Sequence, residues 1–201
     1  MTMKFLLAII ASAAMSVSLV PSADATPAGG MPIGARTSQP IGHYEFCQRY
    51  ASECRPNAKD AGPLALTQNI WDALVQVNYQ VNLIPAQKDI EIYGVEEYWA
   101  YPTTAADCED YVLQKRRLLI KQGLSPANLL IAVVLQPSGE GHAVLVVRTD
   151  KGDFVLDNLR GEIRDWSKTE YTYLKRQDSG DPGKWVKIND GRDTMAVGGI
   201  R

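Results

Sequence analysis

Asp107-Cys108-Glu109-Asp110-Tyr111-Val112-Leu113-Gln114-Lys115-Arg116-Arg117-Leu118-Leu119-Ile120-Lys121-Gln122-Gly123 is the stretch on which the fold turns. Cys108, Val112, Leu119 and Ile120 recur at helical spacing, and Gly123 is a natural stop, so a helix is expected from about Asp107 to Gln122. Lys115, Arg116, Arg117 and Lys121 gather towards its C-terminal half, where cations suit the helix dipole. Beyond Ser125-Pro126 the pattern changes to apolar runs of strand length: Leu129 to Leu135, His142 to Thr149 and Phe154 to Asp157. Residues 171–176 and 185–188 offer two more.

Upstream, Ile70, Leu74, Val77 and Val81 give a second helix over 64–84, ended by Pro85. A short helix is expected over 43–54. Helices first and strands second predict an α+β domain with N-terminal helices packed on a mostly antiparallel sheet.

The chain opens with Lys4, an apolar run from Phe5 to Val20, and the small residues Ala23-Asp24-Ala25. This is the pattern of a secretory signal peptide over 1–25, cleaved after Ala25. Residues 26–42, rich in Pro, Gly, Ser and Thr, read as a flexible N-terminus, and 43–201 as a single domain. After cleavage no stretch is long and apolar enough to span a bilayer. A periplasmic or secreted location follows. The formal charge of −2 provides no basic stripe to neutralise phosphates, which excludes nucleic acid as the expected partner.

An exported chain with three cysteines leaves one over. Cys47 and Cys54 are close enough in sequence to pair as a disulfide, which leaves Cys108 unpaired. A nucleophilic thiol needs stabilisation as thiolate, a base within reach, and a group to orient that base. The start of a helix favours negative charge, and Cys108 lies there. Of the two histidines, His43 lies in the flexible N-terminal part, whereas His142 opens an apolar strand. Asp157, ending the third apolar run, is the natural orienting group. With Lys151-Gly152 as a two-residue turn, Asp150 faces Asp153 and Val146 faces Asp157. His142 and Asp157 then share one sheet face, with His142 four residues from the position opposite Asp157.

Asp107, Glu109 and Asp110 are suited to a helix start. They also oppose ionisation of the thiol among them. A hard cation held by their oxygens would resolve the conflict, and calcium is the ion that tolerates irregular carboxylate sites. A plain acidic first turn needs no ion, and both readings stand at this point.

Asp107-Cys108-Glu109-Asp110-Tyr111 with Lys115, Gly141-His142-Ala143-Val144-Leu145 and Val155-Leu156-Asp157-Asn158 together resemble the bacterial transglutaminase-like cysteine peptidases, a family related to the LapG-type periplasmic proteases. Val77-Asn78, Val81-Asn82, Asp89, Tyr93-Gly94 and Tyr98-Trp99 fit the same pattern, and the likeness spans roughly 43–188. The resemblance implies a papain-like or transglutaminase-like core and a Cys-His-Asp triad at Cys108, His142 and Asp157. It also implies calcium at Asp107 and Glu109, no organic cofactor, and a protein or peptide substrate such as a cell-surface protein. The expected function is an exported cysteine hydrolase, a peptidase or amidase, working through a thioacyl-enzyme. Two alternatives use the same fold: a transglutaminase-type acyl transferase, which differs only in its acceptor, and a non-catalytic binding module. Retention of all three triad residue types argues against the binding module. Trp71, Asn78 and Trp99 are candidate side-chain donors to an oxyanion, alongside the Cys108 amide.

Overall fold

The computed structural model describes residues 29–56 and 59–191. The expected signal peptide 1–25, residues 26–28 of the lead-in and the last ten residues lie outside the described residues. In chain order the elements are β1 (Ile33–Thr37), α1 (Ile41–Arg49), α2 (Gln68–Asn82), α3 (Asp89–Ile92), α4 (Cys108–Lys121), β2 (Leu129–Leu135), β3 (Gly141–Thr149), β4 (Gly152–Leu156), β5 (Arg164–Asp165), β6 (Thr172–Gln177) and β7 (Trp185–Ile188). The strands form one antiparallel sheet in the order β1-β7-β6-β2-β3-β4-β5. The α+β architecture anticipated from helices followed by strands is the one found.

Local chemistry explains the helix limits. Thr67 caps α2, its hydroxyl accepting from the Ile70 amide, and Leu74, Val77, Asn78 and Val81 form the buried face. Gly123 takes φ +95° just beyond α4, so it ends that helix as its position predicts. The basic half of α4 departs from the dipole reading. Lys115 and Arg116 are buried, and the Arg116 guanidinium donates to the Leu129 carbonyl at 3.0 Å and to Glu53 at 3.3 Å.

Runs such as Leu129–Leu135 are apolar at every position because both sheet faces are covered. On one face Leu129, Ile131, Ala143, Leu145, Val147 and Leu156 pack with Leu74, Val77 and Val81 of α2 and Val112 and Leu119 of α4. On the other, Leu130, Ala132, Val134, Val144, Val146 and Val155 meet Met31, Trp166, Tyr171, Tyr173 and Ile188. The sheet curls far enough to bury this second face with its own outer parts. The amide of Met31, just before edge strand β1, donates to Asp153 of β4 at 2.8 Å, and Trp166 beside β5 donates to the Gly29 carbonyl at 2.7 Å.

The lead-in read as flexible therefore contains a strand and part of the closure. Its composition hid this because β1 is an edge strand with largely exposed side chains, paired to β7 alone. His43, assigned to the same flexible part, lies in α1 and is 1% exposed. Its imidazole accepts from Trp185 at 3.3 Å and lies beside the Cys47–Cys54 disulfide. Burial, with help from the charge of Arg116, pushes it down to about 3, so it is a neutral core group.

The β3–β4 hairpin sets the site. Its pairs run from Thr149↔Gly152 to Leu145↔Leu156, so the turn residues are Asp150 and Lys151, not Lys151 and Gly152. The Thr149 hydroxyl accepts from the Lys151 amide at 3.1 Å and donates to the Gly152 carbonyl at 2.6 Å. The Leu64–Leu66 segment clamps the turn through Leu64 N–H to Arg148, Asp150 N–H to Leu64, and Leu66 N–H to the Asp150 side chain. Gly152 adopts φ +119°, and a Cβ there would lie 2.9 Å from an Asp165 carboxylate oxygen. Gly152→Ala should therefore cost about 1–3 kcal/mol, from backbone strain with that contact added. Urea unfolding of the two proteins measures it, and equal midpoints would show that the turn relaxes freely.

Candidate active site

Extended by one step, the observed register puts Asp157 opposite Val144, so His142 is two residues from the facing position instead of four. Same-face neighbours at that diagonal are within reach of a long side chain. His142 Nε2 hydrogen-bonds Asp157 Oδ1 at 2.8 Å, with both side chains 3% exposed. Parity along the strands survives the change of turn because the register moved by an even step and β3–β4 contains no bulge.

Asp157 is held from all sides. Oδ1 also accepts from the Leu159 amide at 3.0 Å, Oδ2 from the Tyr171 hydroxyl at 2.5 Å, and the main-chain carbonyl from Asn82 Nδ2 at 2.8 Å. Burial alone would push this carboxyl up. The bond and charge of His142, the Tyr171 hydroxyl and the Leu159 amide outweigh burial and hold it below the usual carboxylate range. An ionised Asp157 can only accept, so His142 donates to it from Nε2 and turns Nδ1 to the other side of the ring.

Cys108 is the first residue of α4, half-buried, and the free cysteine among the described residues. The Ala143 amide, beyond the last β3–β4 pair, lies near enough to its sulfur to favour the thiolate, which puts the thiol beside the residue that follows His142. The thiol hydrogen goes to Glu109 Oε2 at 2.9 Å, and no hydrogen bond joins Cys108 to His142. Burial pushes the thiol well up, and the charge and hydrogen bond of Glu109 and the charge of Asp107 add to this; the Ala143 amide works the other way.

The acidic residues divide into two roles. Asp110 is structural, accepting from the Ala100 amide at 2.7 Å and the Tyr93 hydroxyl at 3.2 Å, which ties the aromatic connection to α4. Asp107 occupies the N-cap position yet makes no capping bond, and its Oδ1 is buried without a partner. Asp107, Glu109 and Asp89, delivered by α3, bring one oxygen each to within 4.8 Å of the others. Asp89 Oδ1 is a second buried oxygen without a partner, while its other oxygen accepts from the Tyr98 amide. Glu97, at φ +56°, adds its charge to Asp89 and Glu109. Nothing local marks Asp89 as a member of the cluster, so its part in the group comes from the fold alone.

Of the candidate oxyanion donors, Asn78 and Trp99 have their donor groups directed elsewhere. Asn78 Nδ2 donates to the Gly161 carbonyl at 3.1 Å, Trp99 Nε1 lies 3.5 Å from Glu97, and Trp71 packs edge-on to Phe154.

A sequence model described as bacterial transglutaminase-like cysteine proteinase BTLCP matches residues 33–193. The chain belongs to this family. As a transglutaminase-like cysteine proteinase it is a cysteine peptidase on an α+β fold, and solved structures of Legionella pneumophila LapG share that fold. The calcium-bound form has a TM-score of 0.51 at 20% identity over 64% of this chain and 75% of LapG. The EGTA-treated form has a TM-score of 0.50 at 20% identity over 80% and 87%. No curated protein matches the chain.

The carboxylate cluster of this proteinase has a titration signature. Burial, then the charges of Glu109, Asp89 and Asp110, push Asp107 up to about 9, and burial pushes Asp110 up to about 7. Both lie above the unfolded aspartate value of about 3.9, so the folded state binds protons that the unfolded chain releases. The stability they contribute is fully present below that value and is lost as pH rises through 7 and then 9. Asp157 is depressed, and its contribution is lost only in acid, outside this window. Chelator-treated protein should lose thermal stability between pH 5 and 9. A loss of about 2 kcal/mol would lower the midpoint by roughly 4–8 °C. Asp107→Asn should flatten the fall above pH 7 in a thermal melt series, and an unchanged slope would contradict the assignment.

Proposed function

We propose that the chain is an exported peptidase, periplasmic or secreted, in which Cys108, His142 and Asp157 form the catalytic triad acting on a protein or peptide, such as a cell-surface protein. The observation that carries this reading is the buried 2.8 Å bond between His142 Nε2 and Asp157, with Cys108, the free cysteine among the described residues, at the start of α4. Export is supported by the signal-like start of the sequence and by the Cys47–Cys54 disulfide, a bond that persists in oxidising compartments. No helix among the described residues is long and apolar enough to cross a membrane.

His142 Nδ1 takes the proton of Cys108, and the sulfur attacks the scissile carbonyl carbon, forming the C–S bond. The imidazolium then gives that proton to the leaving amine as the C–N bond breaks, leaving a thioacyl-enzyme. Water, deprotonated by the same Nδ1, attacks the thioester, and the thiol leaves with the proton returned. Asp157 holds Nε2–H throughout, which fixes the tautomer and stabilises the imidazolium.

The thiol must first leave Glu109, and the surrounding carboxylates oppose its ionisation. Asp89, Asp107 and Glu109 fit a hard cation: three oxygen donors converge, and two of their buried oxygens have no partner. These residues would hold calcium, whose charge would offset the carboxylate field at the sulfur. The calcium-bound and EGTA-treated LapG structures support that choice of ion.

Cys108→Ala should abolish hydrolysis of a mixed protein substrate, His142→Ala should nearly match it, and Asp157→Asn should leave a small residual rate through the wrong imidazole tautomer. Release of new amino termini is the measurement, and a fully active His142 variant would remove the triad.

Calorimetric titration of chelator-stripped protein with calcium should give saturable heat that an Asp89→Ala, Asp107→Ala variant lacks. Saturation should raise stability by about 2.7 kcal/mol at a hundredfold excess over Kd. Magnesium, which demands octahedral geometry, should compete poorly. Absence of heat at millimolar calcium would leave the cluster as a structural group.

A further inference from the structure

β5 lies at the sheet edge beside β4, whereas β6 pairs with β2, so the chain between them crosses the second face of the sheet. This crossing, residues 166–171, is anchored by Trp166 and Tyr171, both buried in the second core with Leu130, Val144 and Val155. Thr169 braces it, donating to the Trp166 carbonyl at 2.7 Å and lying 3.0 Å from the Tyr173 hydroxyl. Glu170 forms an ion pair with Arg160, in the loop that follows Asp157. Tyr171, 2% exposed, is thereby delivered to the back of Asp157.

The ring alone accounts for the burial. A phenylalanine would pack as well, and a hydroxyl carried into a core is costly unless it is bonded. The bond it makes is specific. The Tyr171 hydroxyl donates to Asp157 Oδ2 at 2.5 Å, within the range of a charge-assisted bond to a carboxylate. The two oxygens of Asp157 thus have separate partners: Oδ1 accepts from His142 Nε2 and the Leu159 amide, and Oδ2 from Tyr171. The terminal torsion of an aspartate is broad, so bonds to one oxygen leave the carboxylate plane loosely set. A bond to the other oxygen fixes it. The donor is also neutral. Burial, then the bond and charge of Asp157, push the phenol up, so it keeps its proton. It steadies the anion without setting a positive charge against an imidazolium at His142, whose ring lies 5.6 Å from that of Tyr171.

Resting on the triad reading, we propose that Tyr171 is a positioning residue of the peptidase: its hydroxyl, fastened to Asp157 Oδ2, turns Oδ1 to His142 Nε2 and holds it there through both charge states of the imidazole. Its effect runs through Asp157, and it exchanges no proton with the substrate.

Tyr171→Phe keeps the ring and removes the bond. The chain has two histidines, so the His142 Nε2 proton is simple to assign in a 15N-histidine spectrum, with the buried His43 as reference. In the variant that proton should exchange with water about tenfold faster, and hydrolysis of a mixed protein substrate should slow about tenfold, as expected for one lost hydrogen bond to a charged group. In an Asp157→Asn background the same substitution should cause no further slowing, because the two residues act as a unit. If the phenylalanine variant fails to fold, the unsubstituted protein supplies the test: the hydroxyl-bearing ring carbon of Tyr171, 13C-labelled, should shift with the same midpoint as His142 protonation. A lower thermal midpoint with proton exchange and hydrolysis unchanged overturns the proposal, as do losses that multiply in the double variant or a Tyr171 signal indifferent to His142 protonation. Asp157→Asn separates the two readings. If it slows hydrolysis and Tyr171→Phe does not, the inference about Tyr171 falls and the triad stands. If Asp157→Asn itself leaves the rate unchanged, the triad reading falls first, and this inference with it.

Discussion

The register of one hairpin governs the site. Asp150 and Lys151 form the turn, Gly152 takes a backbone conformation open only to glycine, and the Leu64–Leu66 segment clamps the corner from outside. Everything at the other end of the hairpin follows. A shift of one residue would carry His142 and Asp157 to opposite faces. A shift of two, the register expected from a Lys151-Gly152 turn, keeps the face but leaves the two side chains too far apart to bond. The 2.8 Å contact is a consequence of pairing set at the far end of β3 and β4, several residues away.

β3 outruns β4, and its amide at Ala143 lies near enough to the Cys108 sulfur to favour the thiolate. The start of α4 is thereby joined to the open end of the ladder, where the histidine also lies. The same helix start carries Asp107, Glu109 and Asp110, so the thiol is surrounded by one favourable field from the helix and the amide and one unfavourable field from carboxylates. Burial pushes the thiol well up and the carboxylates add to it, so together they outweigh the amide in the protein alone. A group of buried acids is costly unless something else offsets its charge. The unpartnered oxygens of Asp89 and Asp107 are the structural sign of that imbalance.

Much of this was legible in the sequence. The runs 129–135 and 185–188 gave strands with those limits, Gly123 ended α4, and Cys108, His142 and Asp157 stood out by residue type and position. What was hidden depended on contacts distant in sequence. β1 lacked an apolar signature because an edge strand need not bury its side chains. His43 looked peripheral because its burial comes from Trp99, Trp185 and Gln177, all far along the chain. Asp89 reaches the acidic cluster only through the turn of α3. The turn at 150–151 was misplaced because the sequence signal, a glycine after a lysine, fits either a turn residue or the first strand residue with positive φ.

Lys115 and Arg116 show the same limit from the opposite side. Cations in the second half of a helix satisfy the dipole rule, and that rule gives no reason to look inward. In the fold both are buried, and they differ in how they are satisfied. Arg116 donates to the Leu129 carbonyl and pairs with Glu53, as its planar fork of donors allows, so it braces α4 against β2. Lys115, a compact charge without a hydrogen-bond partner, braces nothing by geometry. The polar core of this protein is thus divided between groups that fix position through bonds, such as Asn78, Asn82 and Arg116, and one buried cation, Lys115, that makes none.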